Sequence, residues 1–224
     1  MKSIAIVSLL GILFLSACAP SRFVEPLKKK QLAVGGNLGG PLIDFGGKPI
    51  PVPLSAIEVG YGLDSNLTIH GGLHTTALLF GDLQLDAGVT YKFLNQNGFV
   101  PNLSVSPSLN YVQSFNEGVF KLWPQLDLNA YWNYGRKNNY FYAGFNNLFE
   151  LSKTMALNQP QKQRWLYNPQ IGHVLKGKNQ HFQLVTEFKF LGLNQLNPPS
   201  FVPWVSVFGK HGATGIYLGF RYLF

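Results

Sequence analysis

The sequence predicts an all-β protein: an antiparallel up-and-down transmembrane β-barrel of about ten strands, with eight or twelve as alternatives. Apolar and polar residues alternate with a period of two along most of the chain, as in strands with one apolar face. Charged residues make up 12% of the chain and aromatic residues 14%, against about 25% charged in soluble domains. After residue 18 no apolar run approaches the ~20 residues of a membrane helix, and mean hydropathy is only +0.06. Membrane strands conceal their hydrophobicity by alternation in just this manner.

The chain opens with Lys2, an apolar run over 4–15, and then Leu15-Ser16-Ala17-Cys18. A basic start, a short apolar stretch and small residues before a cut describe an export signal over 1–17. Cys18 is the single cysteine of the chain, so no disulfide explains it. Residues 18–30 then read as a tether, since Pro20 and Pro26 discourage regular structure. Lys28, Lys29 and Lys30 lie close enough to an anchor to touch anionic headgroups. Residues 31–224 form the barrel.

The first strand begins near Gln31, with Leu32, Val34, Gly36 and Leu38 on one face. Residues 44–49 turn the chain. The second strand, 54–63, sends Ile57, Val59, Tyr61 and Leu63 outward and Glu58, Gly60 and Gly62 inward. The third starts at Leu67 and carries His70, His74 and Thr76 inward. In the fourth, Leu83, Leu85, Ala87, Val89, Tyr91 and Phe93 oppose Gln84, Asp86, Gly88, Thr90 and Lys92. That is the length of a tilted membrane strand. The fifth and sixth run over 102–113 and 119–134, the latter with Lys121, Trp123 and Asp127 inward. The seventh, eighth and ninth cover 140–149, 165–176 and 182–190, with Glu187 and Lys189 inward. Residues 191–212, broken by Pro198-Pro199, read as an excursion, because an eleventh strand would be odd for a bacterial barrel. The tenth strand, 215–224, turns Ile216, Leu218, Phe220, Tyr222 and Phe224 to one face and Arg221 to the other. A soluble lipocalin-like or sandwich domain is the competing fold.

Leu15-Ser16-Ala17-Cys18 resembles the bacterial lipobox. The resemblance implies cleavage before Cys18 and acyl chains on that residue, the one covalent lipid and the sole cofactor expected. The closing strand, ending on Phe224, resembles that of bacterial outer-membrane barrels. Taken together, the mature chain resembles the small outer-membrane β-barrel lipoproteins of Bacteroidota-type bacteria. The resemblance implies location in the outer membrane, lipid anchoring and insertion by the barrel-assembly machinery; it carries no catalytic motif.

The inferred lumen collects Glu58, Asp86, Asp127 and Glu187 with Lys92, Lys121, Lys189 and Arg221. A small barrel is narrow enough for side chains to fill, and buried charges must pair, so a plugging network is expected ahead of a ligand site. His70 and His74 are about 13 Å apart along a strand, too far to chelate one metal by themselves. No metal spacing, phosphate loop or nucleophile elbow is present. The formal net charge of +8 suits anionic lipid, and export argues against nucleic acid. The expected function is therefore non-enzymatic: a structural or accessory component of a larger envelope assembly. A narrow pore or small-ligand transporter is the alternative, and an outer-membrane enzyme a more distant one.

Overall fold

The computed structural model describes residues 19–116, 118–152, 161, 163–197 and 202–224. The signal segment and Cys18 lie outside these residues. Strands β1 (Leu32–Phe45), β2 (Lys48–Pro51), β3 (Leu54–Asp64), β4 (Leu67–Leu73) and β5 (Asp82–Leu94) lead in sequence. They are followed by β6 (Asn102–Ser114), β7 (Phe120–Tyr134), β8 (Asn139–Phe149), β9 (Trp165–Lys176), β10 (Phe182–Leu196) and β11 (His211–Leu223). Each barrel strand pairs antiparallel with its neighbour, and β11 returns to β1. The closing register runs from Ala33 opposite Leu223 to Pro41 opposite Gly215. Phe224 extends it by donating its N–H to the Leu32 carbonyl at 2.8 Å. Ten strands thus close the wall, and β2 is a short hairpin that folds back on the far end of β1.

Alternation dictates the two faces of that wall. On β11 Leu218, Phe220 and Tyr222 are exposed while Tyr217, Arg221 and Leu223 are buried. On β3 Ile57, Val59 and Tyr61 are exposed and Glu58 is buried. The outside is therefore a continuous apolar surface, and the inside is largely polar. A soluble barrel would reverse this pattern, with its apolar face inward. The start of β1, the C-terminus and the connections after β3, β5, β7 and β9 lie at one rim, the terminal end. The connections after β4, β6, β8 and β10 lie at the other, the loop end.

Several local features depart from the alternation pattern. The third predicted strand stops at Leu73, and Thr75–Leu79 forms a one-turn helix, α1. Thr76 consequently caps a contact with Ser55, through its Oγ1 at 2.8 Å from the Ser55 N–H. The strands flanking the predicted excursion reach further into it than expected, to Leu196 and from His211. Its described part folds over the mouth. Asp44 N–H donates to the Pro203 carbonyl at 2.8 Å and Val205 N–H to the Leu42 carbonyl at 2.9 Å. Tyr140 is 1% exposed and points inward.

Candidate functional site

The lumen is the one interior this fold offers, and its occupant is the chain's own N-terminal segment. Ser21, Arg22, Phe23, Val24 and Leu27 are all buried, whereas Lys28, Lys29 and Lys30 are exposed at the terminal end. Residues 19–27 are therefore not the free tether expected from their prolines and lysines. Lys30 N–H donates to the Gly62 carbonyl at 2.7 Å and fixes the entry point on β3. From there the segment climbs the lumen in reverse chain order. Leu27 N–H donates to Thr68 Oγ1 at 2.8 Å, and Ser104 Oγ donates to the Val24 carbonyl at 2.8 Å. Higher up, Ser21 N–H meets Glu187 Oε2 at 3.0 Å, and Lys189 Nζ donates to the Ala19 carbonyl at 2.7 Å. With two prolines and no regular structure, the segment's backbone groups have to be satisfied by the wall.

Arg22 is the centre of this arrangement. Its guanidinium donates to Glu58 Oε2 at 2.8 Å and, by two nitrogens, to both oxygens of Asp86 at 3.2 and 2.7 Å. The opposite oxygen of Glu58 accepts from Arg221 Nε at 2.5 Å. Arg221 also donates to the Ser21 carbonyl at 3.2 Å and lies 4.5 Å from the Phe23 ring centre. A planar fork that binds a carboxylate through two parallel bonds gives position as well as energy. Charge is thus balanced locally between two guanidiniums and two carboxylates, as a buried cluster requires.

The other predicted lumen residues divide into three groups. Glu187 and Lys189 pair at 3.4 Å, and Tyr142 donates to Glu187 Oε2 at 2.6 Å. Lys121 turns instead to Glu150 at the loop end, 3.7 Å away, where Trp123 Nε1 also donates to that carboxylate. Asp127 is buried and Lys92 half-buried, and neither forms an ion pair among the described residues. His74 Nε2 lies 3.0 Å from Asp86 Oδ2, while both nitrogens of buried His70 lack a hydrogen-bond partner among the described residues. No cluster of three or more metal-ligating side chains occurs among the described residues. Cys18, the predicted lipidated residue, lies outside them.

Two contributions escape a reading of the wall alone. Arg22 and Glu25 belong to the segment rather than a strand; Glu25 Oε2 lies 2.5 Å from Lys176 Nζ and Glu25 Oε1 accepts from Asn133 at 3.0 Å. The lumen also holds apolar layers. Val24 packs with Tyr131, Tyr140, Tyr142, Val174 and Val185. Nearer the loop end, Leu54, Val112, Trp123, Leu148, Leu191 and Ala213 form a layer against which Trp204 of the folded-over loop packs. The signal for both was the inward parity of Tyr131, Trp123 and Leu191, large residues in a supposedly polar lumen.

No family profile and no curated protein matches the sequence. Among solved structures, the chain is similar to the translocator domain of autotransporter NalP from Neisseria meningitidis. The two are 11% identical, with 99% of this chain and 97% of that chain covered and a TM-score of 0.51. The outer membrane protein OprG from Pseudomonas aeruginosa aligns over 90% of this chain and 99% of its own at 13% identity, with a TM-score of 0.36. The first likeness establishes the closed barrel fold.

Proposed function

We propose that this chain is a bacterial outer-membrane β-barrel lipoprotein, non-enzymatic, closed by its own N-terminal segment, and a structural or accessory component of an envelope assembly. The observation that carries the proposal is Arg22 held between Glu58 and Asp86 inside the lumen. A wall that holds a segment of the same chain by Glu58, Asp86 and Glu187 sets that segment in the path a solute would take. The apolar outer face, with Ile57, Phe141, Ile171 and Phe220 each about half exposed, supports a lipid surrounding. It follows that the terminal end faces the periplasm and the loop end the exterior. Cys18, within the lipobox-like stretch, is the proposed site of acylation, and the barrel-assembly machinery the proposed route of insertion.

Function then resides in the outer surfaces, and stable association with a larger envelope protein is the expected mode of action. Native mass spectrometry of the protein extracted gently from its own membrane should find a stoichiometric partner. In planar bilayers the purified barrel should give no steady conductance. A lone monomer would remove the accessory role, and a steady open channel would assign a pore instead.

A further inference from the structure

The outer wall carries a groove on β7 to β10 whose chemistry changes along its length. It is lined by Trp132, Phe141, Ala143, Ile171, His173 and Phe188. The register aligns these residues in two cross-strand rows. Trp132 lies opposite Phe141, and Phe141 opposite His173. One step further from the terminal end, Ala143 lies opposite Ile171 and Ile171 opposite Phe188. Ala143 lies opposite Ala130 on its other side, so two small residues notch the row beside Ile171 and Phe188. The end of the groove deeper in the membrane is wholly apolar.

The terminal end of the groove is polar and then cationic. His173 stacks on Phe141 with ring centres 4.1 Å apart, and its Nε2 lies 2.6 Å from the Tyr134 hydroxyl. Tyr134 is the last residue of β7. The turn that follows holds Arg136 and Lys137, and the next turn on the same rim, after β9, holds Lys178. All three are exposed, and none forms an ion pair among the described residues. An apolar notch below a hydrogen-bonding band and a cationic rim has the polarity of a single amphiphile with an anionic head.

We infer that this groove binds one anionic phospholipid of the periplasmic leaflet, an acyl chain in the notch beside Ala143 and the phosphate at Arg136, Lys137 and Lys178. The inference rests on the membrane orientation given above. Basic side chains close to the surface favour anionic over neutral lipid by roughly fivefold each at low ionic strength. Three of them around one phosphate give a preference on the order of a hundredfold.

The test is native mass spectrometry of the whole barrel released from nanodiscs of phosphatidylglycerol and phosphatidylcholine with matched acyl chains. One phosphatidylglycerol should stay bound at collision energies that strip phosphatidylcholine. Ala143→Trp, which fills the notch from the lipid side, should abolish retention of both lipids. The combined variant Arg136→Gln, Lys137→Gln, Lys178→Gln should keep weak retention and lose the headgroup preference. Equal retention of the two lipids by the unaltered barrel, or full retention by Ala143→Trp, would overturn the inference. A barrel that fails to enter bilayers at all would instead defeat the membrane reading, so the two failures are separable.

Discussion

Two basic side chains and two acidic ones decide the interior, and their connectivity predicts unequal consequences of removing them. Glu58 is shared: Arg22 takes one oxygen and Arg221 the other. Glu58→Ala leaves Arg221 without its carboxylate in a site that is 2% exposed. Breaking a buried pair from one side costs about 3–5 kcal/mol. Arg22→Ala is milder, because Glu58 keeps Arg221 and Asp86 keeps His74 at 3.0 Å. Its cost is about 1–3 kcal/mol, that of unmade hydrogen bonds. Urea unfolding in detergent micelles, followed by tryptophan fluorescence, should therefore rank Glu58→Ala below Arg22→Ala. The reverse order would mean that Arg22 bears on Asp86 more than on Glu58. This pairing was half legible in the sequence. Strand parity turned Glu58, Asp86 and Arg221 inward, but one of the cations they meet sits in a segment without periodicity.

At the scale of elements, the wall was legible because the outer face and the lumen impose opposite demands on successive residues of one strand. The N-terminal segment has no such demand written into it, and its prolines and lysines read as a linker. The clue lay across the lumen, on the inward face of β3. There Glu58 is followed by Gly60 and Gly62, and glycine within a strand weakens it unless another backbone comes close. A Cβ on Gly60 would lie 2.5 Å from the Phe23 ring, and one on Gly62 would lie 2.0 Å from the Lys28 carbonyl oxygen. These glycines form the lane in which the segment runs. Gly62→Val should fold as a barrel yet unseat the segment, since its obstacle is backbone. Overpacking costs about 1–3 kcal/mol, enough to raise the unseated population roughly fivefold or more. Trypsin reads this directly, because Arg22 is 7% exposed when the segment is seated. Cleavage after Arg22 should be slow in the unaltered protein and at least several-fold faster in Gly62→Val. Equal rates would show that the segment tolerates a side chain there.

For the molecule as a whole, the direction of the seated segment constrains where an anchor can go. Its exposed lysines stand at the terminal end, and its other end, Ala19, binds Lys189 within the lumen. Consecutive Cα atoms are about 3.8 Å apart, so the proposed acylation site is one residue from a carbonyl that the lumen holds whenever the segment is seated. On the proposed orientation, the periplasmic leaflet lies back along the path that residues 19–27 already fill. A barrel both plugged in this way and acylated at Cys18, as proposed, must therefore send its acyl chains out past the loop end, where the layer around Trp123 and Trp204 is apolar. Such an anchor and Phe224 would then serve opposite leaflets. Lipidated protein taken from the outer membrane should resist trypsin at Arg22 as well as a refolded, unlipidated Cys18→Ser chain does. Rapid cleavage in the lipidated form alone would mean that acylation draws the segment out. The lumen would then lose Arg22 from between Glu58 and Asp86, and the same preparation should begin to conduct in a planar bilayer.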